Sequence, residues 1–384
     1  MSIDRATGEL LAQIHAYAGA SAPGLLALPP QAYTDAGLHA LEREHVFRRS
    51  WICVGRADQF AAAGDYLALD IAGEPVVVVR DGDGELRALS NVCRHRLYPL
   101  VGEGSGRVPR FTCPYHLWTY GLDGELTGAP TMAETPAFDR VACSLPRFRV
   151  ETWLGFVFVN LDAAAAPLRP RLAGVEAVFA NHGITNAVTV ARYQETWQGN
   201  WKLAVDNGSE SYHHLGLHGS SLEPYMPARG SFVREVTDDW GLHVTPFVRE
   251  EAAKHGIGIN LGTGLTAEDL AGMKVVTIFP SLMLLSLGDT INWMSWVPAA
   301  VDRTVARAGL LMPKSALDVM GDSAELRAGM QAALDRVNAE DADAMALLQR
   351  SAASAFAGRG PLSTKEGVLL GLYRYLAHAM RDAG

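Results

Sequence analysis

Cys93 and Cys113 each stand within three positions of a histidine, in the stretch CRHRLYPLVGEGSGRVPRFTCPYHLW. A chain with four cysteines in 384 residues that places two of them this way points two loops at a shared ligand. Short β-prone runs surround both loops, at 66–71, 75–80, 85–92, 110–112, 118–122 and 147–161, with a turn-like DGDG at 81–84. The spacing therefore predicts a small all-β unit whose loops carry the Cys and His side chains.

Four cysteines are too few for a disulfide framework at this length, so a reducing, cytoplasmic setting is expected and ligation is favoured over bridging. The formal charge of -9 argues against nucleic-acid or anionic-membrane partners. No run approaches the roughly eighteen apolar residues of a membrane span, and the amino terminus lacks the apolar core of a secretory signal.

Two metal readings fit Cys93-x-His95 followed by Cys113-x2-His116. Structural zinc usually keeps like ligands together. A Rieske [2Fe-2S] cluster takes two thiolates on one iron and two imidazoles on the other, so each loop gives one of each. Gly102, Gly104, Gly106, Pro99 and Pro114 suit tight loops whose N–H groups approach cluster sulfides. NVCRHRLYPL and CPYHLWTYGLDGEL resemble the Rieske domain of the ring-hydroxylating and related Rieske non-haem iron oxygenases. The resemblance implies a cluster on Cys93, His95, Cys113 and His116. Leu117 departs from it, since the family commonly has glycine there. Cys53 and Cys143 have no histidine at this spacing and read as small buried hydrophobes.

Elsewhere, 33–49 reads as a helix behind Thr34 or Asp35, and the Ala/Pro stretch 163–170 reads as a boundary. Beyond it come a strand at 187–196, a helix over 200–217, an antiparallel meander over 274–312 and helices at 323–352 and 364–381. The class is α+β. The expected division is an N-terminal helical segment, 1–44, packing with the catalytic domain; a Rieske domain, 45–165; and a catalytic domain, 166–384. For the last, the resemblance implies a helix-grip (START-like) fold around a central antiparallel sheet.

The stretch NWKLAVDNGSESYHHLGLH places His213 and His218 five apart, about 140° from a common helical face. They converge on one metal if the helix bends or opens after the first, and otherwise read as surface or core histidines. Two histidines and a carboxylate leave positions open on iron for dioxygen. This stretch resembles the iron-binding segment of the same family, in register. That implies His213 and His218 as ligands of a mononuclear Fe(II), with His214 at no ligand position. It also implies Glu210 as a link from His213 to His116 of the partner subunit, and Asn207 near the iron. For the carboxylate, Asp335, Glu340, Asp341 and Asp343 compete in DRVNAEDADAMALLQR. The family's E-D pair, with Gln eight residues after the Asp, fits Glu340, Asp341 and Gln349. It implies Asp341, with Asp343 as runner-up.

No dinucleotide-binding or P-loop motif appears, and GIGINLG at 256–262 has the wrong spacing. As in the family, NAD(P)H would then be used by a separate reductase, directly or through a ferredoxin, with O2 as co-substrate. A homotrimer without a β subunit is implied. The substrate is expected to be a small aromatic or quaternary-amine-like molecule, with Trp240, Phe279, Trp293 and Trp296 as candidate pocket residues. Glu210 and the chain length tilt the reading toward monooxygenation, including oxidative demethylation, over arene cis-dihydroxylation. Two readings of other classes stay open: a Rieske electron carrier with no working mononuclear iron, and a zinc-stabilised ligand-binding module.

Overall fold

The computed structural model describes residues 3–21 and 24–383. The chain divides into two compact units, Phe47–Ala166 and the segments that flank it.

Within Phe47–Ala166 the strands are β1 (Ile52–Arg56), β2 (Asp65–Ile71), β3 (Glu74–Arg80), β4 (Leu86–Ser90), β5 (Gly104–Arg107), β6 (Phe111–Thr112), β7 (Thr119–Tyr120), β8 (Leu126–Gly128), β9 (Arg147–Trp153) and β10 (Phe156–Asn160). Seven form one sheet in the order β1-β10-β9-β4-β3-β2-β5, and β6-β7-β8 form a small second one. Val76–Val79 are all buried, so this strand is covered on both faces and shows no polar alternation. Two sequence expectations change here. The run 147–161 is a hairpin rather than one strand, turning at Leu154 and Gly155, both with positive φ. The backbone twist of such a turn matches the flanking strands. Of the glycines expected in the loops, Gly104 and Gly106 instead lie in β5, which pairs with β2. A Cβ on Gly106 would stand 2.5 Å from the Tyr66 hydroxyl, so that ring occupies the space.

The flanking segments form the second unit. Its strands are β11 (Val188–Trp197), β12 (Phe232–Val236), β13 (Trp240–Pro246), β14 (Gly272–Ile278), β15 (Leu282–Ser286), β16 (Ile291–Ala300) and β17 (Arg303–Met312). They form an antiparallel sheet ordered β11-β17-β16-β15-β14-β13-β12, with 274–312 as the expected meander. Strand alternation puts Asn292, Met294 and Trp296 on one face of β16. In the adjoining strands Val275 pairs with Leu285 and Leu285 with Asn292, while Met283 pairs with Met294. The long helix Ala324–Ala352, capped by Ser323, packs against β11, and the helix Trp201–Gly208 packs against it.

The N-terminal residues are built into this unit. Asp35, not Thr34, caps the helix Ala36–Glu42, accepting from Leu38 N–H at 2.6 Å. Glu42 accepts from Lys202 Nζ at 2.5 Å and Trp201 Nε1 at 2.8 Å, all three side chains being buried. Tyr33 donates to Asp206 at 2.8 Å. Gln349 accepts from Asn200 N–H and donates to the Tyr33 carbonyl, tying three segments together. Among the described residues, no helix is long and apolar enough to cross a membrane.

Candidate metal centres

The two Cys/His loops have the same backbone. Cys93 N–H donates to the Tyr98 carbonyl at 2.9 Å, and Leu97 N–H returns to the Cys93 carbonyl at 3.1 Å. Cys113 and Trp118 repeat the first bond at 2.8 Å, and Leu117 and Cys113 the second at 2.9 Å. The residue closing each turn is left-handed, Leu97 at φ 61° and Leu117 at φ 59°. A glycine adopts this conformation without steric cost. Leu117 thus accepts backbone strain at the tip, with its side chain exposed.

Both thiols are buried above Phe111, Trp118 and Tyr120, and Cys93 Sγ lies 3.4 Å from the Tyr120 hydroxyl. Burial, reinforced by the neighbouring Cys93 thiol, pushes the Cys113 pKa up. A bound cation would reverse that, because a coordinating thiol is deprotonated outright. The rings of His95 and His116 stand 4.6 Å apart at 74°, with His95 stacked on Trp118 at 4.7 Å. Burial, with His116 and Arg96 nearby, pulls the His95 pKa down. The Nδ1 atoms of both histidines are buried without a hydrogen-bond partner. Two sheltered thiols and two orphaned imidazole nitrogens fit a cluster with separate thiolate and imidazole irons. A tetrahedral zinc would draw all four onto one point, and among the described residues the group that converges so is a different one.

That group is His213, His218 and Asp341, whose ligand atoms lie within 4.8 Å of one another. The expected helix over 200–217 ends earlier, at Gly208. A side chain on Gly208 would collide with the Trp296 ring, and Ser209 Oγ turns back to the Val205 carbonyl at 2.6 Å. The chain then makes a short 3-10 turn, Tyr212–Leu215. Glu210 starts it by accepting from the N–H groups of Tyr212 and His213. The opening needed for His213 and His218 to converge is thus built before the first histidine rather than after it.

Each histidine is oriented by a carboxylate. Glu210 Oε1 lies 2.6 Å from His213 Nδ1. Glu340 Oε2 lies 2.5 Å from His218 Nδ1 and accepts from Ser221 Oγ at 2.6 Å. An Nδ1–H held by a carboxylate orients the ring and leaves Nε2 as the atom that would meet a metal. His218 Nε2 stands 3.1 Å from Asp341 Oδ1, to which Asn207 Nδ2 donates at 2.9 Å. Burial alone would lower the His218 pKa, but Asp341 and Glu340 outweigh it and raise it. Such a site attracts positive charge, as a divalent metal requires.

Asp343 and Asp335 are exposed, the latter accepting from Gln331 at 2.7 Å. His214 is buried and held neutral, its pKa lowered to about 3 chiefly by burial, with Nδ1 3.2 Å from the Met226 carbonyl. Glu340 was weighed in the sequence only as a rival to Asp341; its hold on His218 was missed, though the neighbouring E-D pair carried the signal. A cavity adjoins the three converging residues. The indoles of Trp197 and Trp296 line it, as do Met273, Met283 and Met294. Trp240, Phe279 and Trp293 are buried elsewhere. Trp293 and Trp296, three apart on β16, fall on opposite faces.

The Rieske [2Fe-2S] domain profile matches residues 50–143, and that of the ring hydroxylating alpha subunit (catalytic domain) matches residues 184–382. The carnitine monooxygenase oxygenase subunit of Escherichia coli (strain K12) is 39% identical over 272 residues, 65% of this chain and 69% of that protein. The glycine betaine monooxygenase oxygenase subunit of Chromohalobacter salexigens is 37% identical over 228 residues, 59% of this chain and 49% of that protein. In fold, the chain is similar to a quaternary ammonium Rieske monooxygenase crystallised with gamma-butyrobetaine. The TM-score is 0.78 at 23% identity, over 95% of this chain and 98% of that one.

Proposed function

Because the chain belongs to the ring hydroxylating alpha subunit family, with a Rieske [2Fe-2S] domain ahead of the catalytic domain, we propose that it oxidatively demethylates a small quaternary ammonium compound. It is the oxygenase component of a Rieske oxygenase, an oxidoreductase that uses O2 and electrons delivered by a partner protein. That partner is read as a separate reductase drawing on NAD(P)H, directly or through a ferredoxin, and the assembly as a homotrimer.

Cys93 and Cys113 would hold one cluster iron and His95 and His116 the other; His213, His218 and Asp341 would hold the mononuclear Fe(II). When bound, the cluster supplies single electrons and the iron supplies the reduction of dioxygen beside the substrate. Glu210 and Glu340 aim the two imidazoles, and the Asn207 amide fixes the Asp341 carboxylate. Glu210 accepts three hydrogen bonds within its own chain, of the roughly four a carboxylate can take. The remaining capacity suits an imidazole N–H of His116 of the partner subunit, giving a short electron path between subunits. In the reaction, one methyl C–H becomes C–OH, and the resulting cationic hemiaminal loses its hydroxyl proton as it breaks to formaldehyde and a tertiary amine. The second oxygen atom leaves as water.

The carrying observation is the cavity wall: two indoles and three thioethers beside the converging ligands, with no Lys or Arg among the lining residues. Aromatic faces attract a methylated ammonium group. The test is oxygen uptake with a surrogate reductase over N-methylated ammonium compounds and arenes. Formaldehyde formed in step with NADH oxidation is the expected result; a cis-diol from an arene, without formaldehyde, overturns it.

A further inference from the structure

Three residues that line the cavity each carry a buried polar atom with no hydrogen-bond partner among the described residues: Asn292 Oδ1, Trp296 Nε1 and Asn338 Nδ2. Two come from one face of β16 and the third from the long helix opposite. Trp296 and Asn338 are 2% and 1% exposed, so bulk water does not satisfy them. A buried donor or acceptor left unmade costs free energy, and three around one space mark a place that a ligand completes.

Their types restrict the ligand. Two are donors and one is an acceptor, so a group that both accepts and donates meets them all, as a hydroxyl or a primary or secondary amide does. Charge restricts it further. Glu210 and Asp341 line the same cavity, and among the described residues no Lys or Arg does. Two carboxylates balance a divalent iron, which leaves no net positive charge to receive an anion. A carboxylate entering here could accept from the two donors, but it would be buried without a counter-charge and would face the Asn292 carbonyl.

We propose that the cavity selects a small substrate whose polar end is an uncharged hydrogen-bonding group, a hydroxyl or amide, and rejects one ending in a carboxylate. Asn292, Trp296 and Asn338 are the residues that set this choice. The proposal rests on this cavity being the substrate site. It departs from the relatives named above, whose named compounds, carnitine and glycine betaine, both carry a carboxylate.

The test is calorimetric binding to the anaerobic, iron-loaded protein. One series is choline, tetramethylammonium and glycine betaine; a parallel one is benzyl alcohol, toluene and benzoate. The alcohol should bind about tenfold or more tightly than the carboxylate of its series, and several-fold more tightly than the compound lacking a polar end. Asn338→Leu and Asn292→Leu should each erase the second preference while the iron content stays unchanged. A carboxylate binding as well as its alcohol, or no preference in either series, overturns the proposal. An alcohol preference confined to the aromatic series supports it and removes the quaternary-ammonium reading instead.

Discussion

Cys93, His95, Cys113 and His116 sit on two loops of one β unit, each closed by the same pair of backbone hydrogen bonds. His213, His218 and Asp341 are gathered differently, from an irregular turn and a helix, with His218 and Asp341 123 positions apart. At the loops, the backbone holds the ligand geometry and leaves the Nδ1 atoms bare. At the cavity, side-chain carboxylates hold it, and both histidines carry a partner before any metal arrives. A site ordered by its backbone should lose its metal outright when a ligand is removed and be insensitive to everything else. A site ordered by side chains should weaken in steps.

The strongest way to break this contrast is Cys113→Ser. It should abolish the cluster's visible absorbance and reduced-state EPR signal, and with them turnover, while metal analysis still finds the mononuclear iron. Loss of that iron too would show that the sites are not independent. Asp341→Ala should give the mirror result, a normal cluster spectrum with the mononuclear iron and turnover missing. Glu340→Gln tests the stepwise half of the contrast. Iron affinity, measured by competition with a chelator, should fall about 10–100-fold without touching the cluster.

A smaller effect separates the units by pH. Burial raises the Asp206 pKa to about 7, although Tyr33, Lys202 and Tyr373 pull it down and Glu366 adds to the rise. The folded chain therefore keeps a proton that the unfolded chain releases near 3.8. Its stabilising contribution is full below that value and is lost as pH rises through about 7. Urea midpoints of the catalytic unit should fall between pH 5 and 8, and Asp206→Asn should flatten the fall. Bleaching of the cluster should not follow the same curve. Smallest of all is Leu117→Gly, where relief of the left-handed backbone is partly offset by added freedom in the unfolded chain. It should stabilise the cluster unit by under about 1 kcal/mol, read as a small rise in the bleaching temperature.

The cluster loops were legible in the sequence because their ligands are close together and their punctuation is local. The helix ending at Gly208 was not, because its cause, the Trp296 ring, arrives from a strand far along the chain. Asp341 could be separated from Asp335 and Asp343 only by its spacing to Gln349, since helical periodicity does not say which acidic face is buried. Glu340 was hidden by adjacency: an E-D pair on a helix does not say which acid meets the metal and which reaches the histidine ring. Among the four aromatic candidates, the alternation of β16 already separates Trp293 from Trp296. Nothing in a strand pattern announces that Asn292 lacks a partner.

The Glu42–Lys202 pair has a practical consequence for anyone shortening the chain. A version that began at Phe47 would keep each residue proposed to touch a metal, and would look on paper like the two essential domains. It would also delete the carboxylate that neutralises Lys202 and accepts the Trp201 indole N–H, leaving an ammonium group stranded inside the protein. Breaking such a pair from one side costs about 3–5 kcal/mol, a large fraction of what holds a domain together. The helix so unseated leads into the turn Tyr212–Leu215, which carries His213. Trimming the front of this protein would therefore damage its centre.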